Sequence, residues 1–430
     1  QVLAFVMRCI VLWLCSSFAL TVRVGGPLTL SGDRSDAGQR IALGLRLWAE
    51  KVNISRIPIG FDGDMTVVVD LVDDQGLYSR AAAIAAEMAP RLDFLVGPVH
   101  QDLIGAVATP ARQHGRVVVG WLHPDAPILT TAGLPVYVCI GPSPGTVAAP
   151  VVSELLARGA TSVAVAHDRH PLAQQGCPPL ATETVLRYQS HVQALETWKW
   201  YGTLGELDVV VVCGEADHVQ RTLVVMQSLG ICPNALVVVQ VGARLSEDPS
   251  FDGVIASGPW ASWPLSDLDS TWDSAAEFAH SVAATGAGEA DYFIALGSSL
   301  GTVIQVALRR ADRSQVTIVR EDGHLDGQLV AAAFVGLSVH TASGEVALGP
   351  TGLHDGFVAH VYQANVGTGL ESLQYPMTCQ SESLSENLTD RCGSGHVTRG
   401  SACTACSPGR ARQDPALACT DCPAGRFAFA

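Results

Sequence analysis

The chain has 430 residues, enough for two or three domains, with 48% hydrophobic and only 16% charged residues. That composition excludes a disordered chain and suits a buried α/β core. The formal net charge of −15, with no basic cluster, argues against nucleic acid or an anionic membrane surface as partner.

Met7-Arg8 is followed by an apolar run from Cys9 to Leu14, then Ser16, Ser17, Phe18 and Ala19. A short positive start, a short apolar stretch and small residues before Leu20 read as a signal peptide, so residues 1–19 are taken as upstream residues and signal peptide, with Met7 as the expected true start. After it no apolar run approaches the length of a membrane span, so any membrane attachment is expected downstream of residue 430.

Strand–helix alternation dominates residues 20–365. Val22-Arg-Val-Gly-Gly reads as a strand entering a glycine-rich loop. Gly38 to Val52 sets Ile41, Leu45, Trp48 and Ala49 on one helical face. Strands are predicted over Met65–Val72, Phe94–Gly97 and Arg116–Trp121, with helices over Ser79–Met88 and Leu103–His114. The pattern restarts after Pro144. A helix is predicted over Thr146–Arg158, then strands over Ser162–His167, Asp208–Cys213 and Ala235–Val241, with a helix over His218–Gly230. Residues 169–205 read as loop. Long helices over Ser274–Thr285 and Asp291–Ala311 precede a closing hairpin over Thr351–Gln363. Alternation at this spacing implies parallel sheets covered on both faces, in two lobes.

The tail reads Cys392-Gly-Ser-Gly, Cys403-Thr-Ala-Cys406-Ser-Pro-Gly and Cys419-Thr-Asp-Cys422-Pro-Ala-Gly. With almost no apolar residues, it needs disulfides or metal. Two Cys-x-x-Cys pairs fit zinc, but the interval from Cys406 to Cys419 lacks a finger's ββα pattern, and the signal peptide favours disulfides. If each block closes on itself, Cys392 pairs with Cys403 and Cys406 with Cys419; sequence leaves the connectivity open. Cys139 and Cys213 sit in apolar strands and read as buried thiols. Cys177 and Cys232 lie in loops and are candidates to pair. The sequons Asn53-Ile-Ser55 and Asn387-Leu-Thr389 are candidate glycosylation sites.

Residues Gly26-Pro-Leu-Thr-Leu-Ser-Gly32, Ala37-Gly38 and the helix to Asn53 resemble the opening of type I periplasmic binding proteins, the leucine/isoleucine/valine-binding branch above all. Asp73-Asp74, Leu95-Val-Gly-Pro98, Val163-Ala-Val-Ala-His-Asp168 and the stretch Gly344 to Gln363 are similar to that family in the same order. The resemblance spans about residues 22–365 and rests on the ordered series rather than on one motif. It implies an α/β, two-lobed "Venus flytrap" fold, shared by receptor ectodomains. Lobe 1 is expected at about 22–141 and 259–348, and lobe 2 at about 142–258 and 349–363. A linker (366–391) and a cysteine-rich segment (392–430) follow; the latter resembles the extracellular GCC2/GCC3, ephrin-receptor-like repeats.

The family holds a small ligand between the lobes, at the carboxyl ends of the strands. Carried onto this chain, that places His100, Gln101 and Asp102 in the first cleft loop and Trp121, His123 and Asp125 in the second. Glu215 and Gln240 follow strands of lobe 2, and Leu172 falls near a ligand-contacting tyrosine of relatives. The chain departs from the family where hydroxyl residues hold an amino-acid carboxylate, and Asp102 repels one. Each residue also has a plain structural role available: Asp102 as a helix cap, Trp121 as core, Asp125 as a turn former. The resemblance implies a receptor-like, extracellular sensor of a small polar molecule, amino-acid-like or cationic, and a homodimer through lobe 1. A structural or adhesive protein and a secreted solute-binding protein are the alternatives. No Gly-x-Ser-x-Gly elbow, His-Glu-x-x-His or phosphate loop is present, and the 13 histidines are scattered, so no enzyme, cofactor or metal is expected.

Overall fold

The computed structural model describes residues 20–32, 35–55, 65–124, 130–131, 133–142, 146–167, 183–187, 208–214, 219, 222, 225–226, 233–240, 254–258, 271–312, 319–320, 323–355, 360–363, 367–368, 396–399, 402–405, 410–411 and 420–421. The chain divides into two compact units. One comprises Gln1–Ser143 and Trp260–Val358, the other Pro144–Pro259 and Ala359–Ala430.

The first unit opens with strand β1 (Leu20–Leu28), helix α1 (Ser35–Ser55), β2 (Met65–Asp73) and α2 (Tyr78–Met88). Then come β3 (Phe94–Val96), a 3-10 turn (Gln101–Leu103), α3 (Ile104–Gln113), β4 (Val117–Gly120), the short β5 (Thr130–Thr131) and β6 (Leu134–Pro135), and β7 (Tyr137–Cys139). The main sheet has order β2-β1-β3-β4-β7, every pairing parallel. β3 and β4 are buried at every residue, as strands covered on both faces must be. The predicted face of α1 is the observed one: Ile41, Leu45 and Trp48 are fully buried and Ala49 is buried beside them.

The second unit begins with α4 (Ala149–Ala157), β8 (Val163–His167), β9 (Glu183–Arg187), β10 (Val209–Gly214), β11 (Ala235–Gln240) and β12 (Ile255–Gly258). The chain then adds α5 (Ala275–Ala284), α6 (Tyr292–Asp312), α7 (Gly327–Phe334) and the hairpin β13 (Ser338–Thr341) with β14 (Gly344–Ala347) to the first unit. It returns to the second through β15 (His360–Gln363) and β16 (Gly367–Thr368). The second sheet has order β16-β15-β12-β11-β10-β8-β9, with β15 and β16 joining antiparallel. Asp208 ties its strand entrances together: one carboxylate oxygen accepts from the Thr161 and Ser162 N–H groups (2.8 and 3.1 Å), the other from Asn234 Nδ2 at 2.8 Å.

Helices α1 and α6 touch backbone to backbone. A Cβ on Gly44 would lie 1.9 Å from the Ile294 carbonyl oxygen, and one on Gly297 would lie 2.1 Å from that of Ile41. Among the described residues α6 is the one helix long and apolar enough to cross a membrane, but 83% of its apolar window is buried within the fold, as in a core helix.

Three details differ from the sequence reading. Strand β9 lies inside residues 169–205, read as loop; only Val185 and Leu186 are apolar in it, and its strand form comes from pairing with β8. The expected hairpin over Thr351–Gln363 does not form as one unit. Gly352 accepts a hydrogen bond from Cys139 N (2.9 Å), which holds its loop to the first unit. His360–Gln363 instead pairs with β12 and with Gly367–Thr368. Helix α7 and the β13–β14 hairpin were not anticipated. In the tail the described residues form two short antiparallel pairs, His396–Arg399 with Ala402–Ala405 and Arg410–Ala411 with Thr420–Asp421.

Candidate functional site

The strand order of the first unit reverses direction between β1 and β3. In doubly wound sheets, ligands bind outside the carboxyl ends of the strands at such a switch point. The loops that follow β1, β2, β3 and β4 all open at this edge.

Two aspartates organise its β1–β2 side. The Asp73 carboxylate accepts from Leu30 N (2.9 Å), Ser31 N (3.1 Å), Gln75 N (3.0 Å) and the Ser31 hydroxyl (2.5 Å). Partial burial pulls its pKa upward, but the Ser31 hydroxyl and the three backbone N–H groups outweigh it and hold the pKa at about 2. Gln75 is held at φ 56°, a left-handed conformation, in this turn. Asp74 is wholly buried. Its Oδ1 accepts from the Thr29 hydroxyl (2.7 Å) and Gly76 N (2.8 Å), while its Oδ2 is buried with no hydrogen-bond partner. The sequence reading used this pair only as a family landmark. Its place at the switch point was not foreseen, because adjacent aspartates after a strand look like an ordinary turn.

The β3 loop carries three of the expected residues. His100 stands at the N-cap of the 3-10 turn and is half-buried; Gln101 is half-buried and Asp102 exposed. His100 closes on the β2 loop: a Cβ on Gly76 would lie 3.0 Å from its Nε2. Asp102 is not the cap of the following helix. That position is Leu103, with no side-chain cap hydrogen bond, and Asp102 sits inside the turn before it.

After β4, Trp121 is 3% exposed and belongs to the core, the plain structural role open to it in the sequence, rather than lining the edge. His123 is half-buried. Burial lowers its pKa; the Asp355 carboxylate opposes this and His354 adds to it. His354 is itself buried, with Nδ1 3.0 Å from the Ala347 carbonyl oxygen, and burial lowers its pKa too. The β4 loop is propped from below by Tyr137, whose hydroxyl donates to the Leu122 carbonyl at 2.9 Å. Space for that hydroxyl exists because residue 120 is glycine; a Cβ there would lie 2.2 Å from it. Neither Tyr137 nor the His354–Asp355 pair has a sequence signal, since both reach the edge from distant elements.

The structure thus brings His100, Gln101, Asp102 and His123 to one edge of the first unit and sends Trp121 into its core. Gln240 ends β11 at the carboxyl edge of the second unit, opposite Gly214 in the ladder. Asp125, Leu172 and Glu215 lie outside the described residues, as do Asn387, Cys177, Cys232, Cys392, Cys406 and Cys419. Cys403 is in a described strand, without a described side chain. Cys139 is the free buried thiol expected; burial, partly offset by its contact to the Gly141 carbonyl, pushes its pKa up to about 12. Cys213 is disulfide-bonded, which corrects the buried-thiol reading of its apolar strand. No group of acidic, histidine or cysteine side chains among the described residues is arranged to hold a metal ion.

Residues 21–184 match the family described as "Periplasmic binding protein". No curated protein matches the chain. Solved structures do. The branched-chain amino acid transporter substrate-binding protein LivJ from Streptococcus pneumoniae, in complex with isoleucine, has TM-score 0.56 at 15% identity, covering 80% of this chain and 95% of that one. A substrate-binding protein from Aeropyrum pernix has TM-score 0.61 at 14% identity, covering 80% and 92%. A solute-binding protein from R. palustris in complex with benzoate has TM-score 0.57 at 16% identity, covering 81% and 96%. At such identities the likeness concerns the fold. The chain carries a periplasmic-binding-protein sequence pattern over residues 21–184 and has the two-lobed periplasmic-binding-protein fold, parallel sheets flanked by helices.

Proposed function

We propose that this chain is the ligand-binding region of a secreted, receptor-like protein, and that it senses a small polar molecule by closure of its lobes. The observation that carries this reading is the switch-point edge of the first unit. It gathers His100, Gln101, Asp102 and His123 over a scaffold fixed by Asp73, Asp74 and Tyr137, on a fold whose solved examples hold isoleucine or benzoate. A neutral polar or cationic ligand fits this edge better than a free carboxylate, because an exposed Asp102 stands where the family places hydroxyl groups. Binding shifts the population toward the closed state by its differential affinity for that state.

The signal peptide and the disulfide reading of the tail support an extracellular location. Homodimerisation through the first unit belongs to the same proposal; Leu77 and Tyr78, 52% and 57% exposed, supply apolar surface there. A second reading, a secreted solute-binding protein that delivers its ligand, is favoured by the transporter substrate-binding proteins among the structures that share the fold.

A thermal-shift panel of amino acids, polyamines, nucleosides and sugars tests the proposal. A bound ligand at about 100 times its Kd adds roughly 2.7 kcal/mol of stability. A saturable rise in Tm with a polar or cationic member is expected. No rise with any member in a folded sample would overturn ligand sensing.

A further inference from the structure

The sequon at Asn53 ends helix α1 beside β2, the outer strand of the first unit's sheet, which pairs with β1 on one side and has an open edge on the other. The Asn53 side chain is bonded to that edge. Its Nδ2 donates to the Val67 carbonyl oxygen at 3.0 Å, and its Oδ1 accepts from the Val67 N–H at 2.8 Å. Both are well-formed hydrogen bonds by distance. Because Val67 offers one donor and one acceptor, the amide orientation is fixed; flipping it would set donor against donor and acceptor against acceptor.

This pairing uses one particular hydrogen of the amide. To reach a donor and an acceptor on the same residue, the amide must present its oxygen and an N–H side by side. That N–H is the one on the same side of the C–N bond as Oδ1. An N-linked glycan converts the primary amide into a secondary one, in which the substituent takes the place on the oxygen's side and the remaining hydrogen points away. The anomeric carbon therefore replaces the hydrogen that binds Val67. Keeping the hydrogen in place would need a cis amide, at a cost of roughly 2.5–4 kcal/mol. Glycosylation and this pairing exclude each other, although Asn53 itself is exposed.

We infer that Asn53 is a side-chain cap on the edge of β2, and that its sequon stays unglycosylated in the folded protein. The cap occupies the backbone groups through which another strand would add to the edge, a means of guarding open sheets. This assigns Asn53 a role independent of any ligand, and it leaves Asn387 as the candidate sequon for a glycan.

The test is site occupancy together with amide exchange. The full chain, secreted from a eukaryotic host, is digested and deglycosylated enzymatically in heavy-oxygen water, so that a formerly modified asparagine carries a mass tag. Hydrogen exchange at Val67 is read on the same protein. The expected result is an untagged Asn53 and a protected Val67 amide. Asn53→Ala, which removes both the acceptor of the Val67 N–H and the donor to the Val67 carbonyl, should raise Val67 exchange towards that of an exposed amide. Ser55→Ala, which destroys the sequon but keeps the cap, should leave Val67 exchange unchanged. A tagged Asn53 in most of the folded protein, or a Val67 amide that exchanges freely in the unmutated chain, would overturn the inference. Both overturning outcomes are read on the unmutated chain, so they stand whether or not the Asn53→Ala variant folds.

Discussion

Gly44→Ala should destabilise the first unit, although alanine is the better helix former. In a helix interior that exchange alone favours alanine by roughly 1 kcal/mol. Here the new Cβ would sit 1.9 Å from the Ile294 carbonyl oxygen and 2.9 Å from Ser298 N, both backbone atoms of α6. Ordinary contact would require α6 to retreat by roughly 1.5 Å, in an interior packed like a crystal. Overpacking costs about 1–3 kcal/mol, and backbone cannot rotate out of the way, so the upper end applies. Set against the propensity gain, the net loss is about 2 kcal/mol. Gly105→Ala in α3 is the control: the nearest atom to its new Cβ would be the Tyr78 hydroxyl at 3.8 Å, ordinary contact. There propensity acts unopposed, and a gain of up to about 1 kcal/mol is expected. Urea denaturation followed by circular dichroism measures both. A Gly44→Ala midpoint at or above that of the unmutated chain would refute the close packing of α1 on α6.

Tyr137→Phe removes the hydroxyl that satisfies the buried Leu122 carbonyl, and about 1–3 kcal/mol should be lost in the same denaturation assay; an unchanged midpoint would show that the β4 loop needs no prop. Cys139, wholly buried with its pKa pushed up to about 12, should resist a thiol reagent at pH 8 in the folded protein and react once guanidinium is added; rapid reaction under native conditions would contradict its burial. His123 and His354 both have folded pKa values lowered by burial, so the unfolded chain takes up protons first as the pH falls past about 6.5. Stability should therefore decline between pH 7 and pH 5, with a shallower slope in His123→Gln; an increase on acidification would mean that neither histidine is held neutral.

The scaffold was legible because it is written in periodicity. The Val-rich runs of β2, β4, β8, β10 and β11 and the Ile41–Leu45–Trp48–Ala49 face of α1 are regular and locally determined. Elements that depend on a distant partner were not. β9 is a strand because β8 is beside it, and residues Gly349–Leu353 stay in the first unit because Cys139 N reaches Gly352. The same division runs through the site. His100, Gln101 and Asp102 follow a recognisable strand, so their place at its carboxyl end was readable. Tyr137, His354 and Asp355 reach that edge through tertiary packing, which spacing does not encode. Trp121 was open between cleft and core in the sequence, and only the structure shows its side chain buried in the core. Asn53 shows that a sequon reports only a residue pattern, since its amide already serves Val67.

On the proposed reading, the switch-point edge of the first unit binds a small polar or cationic molecule. Its most direct measurement is a calorimetric titration of the strongest thermal-shift ligand into the unmutated chain and into Gln101→Ala and Asp102→Asn. Both positions are surface or half-buried, so folding should survive. Saturable one-site binding that weakens at least about tenfold in one variant, equivalent to roughly 1.4 kcal/mol, is the result expected. Binding of equal affinity in all three proteins would contradict the account and place the ligand elsewhere.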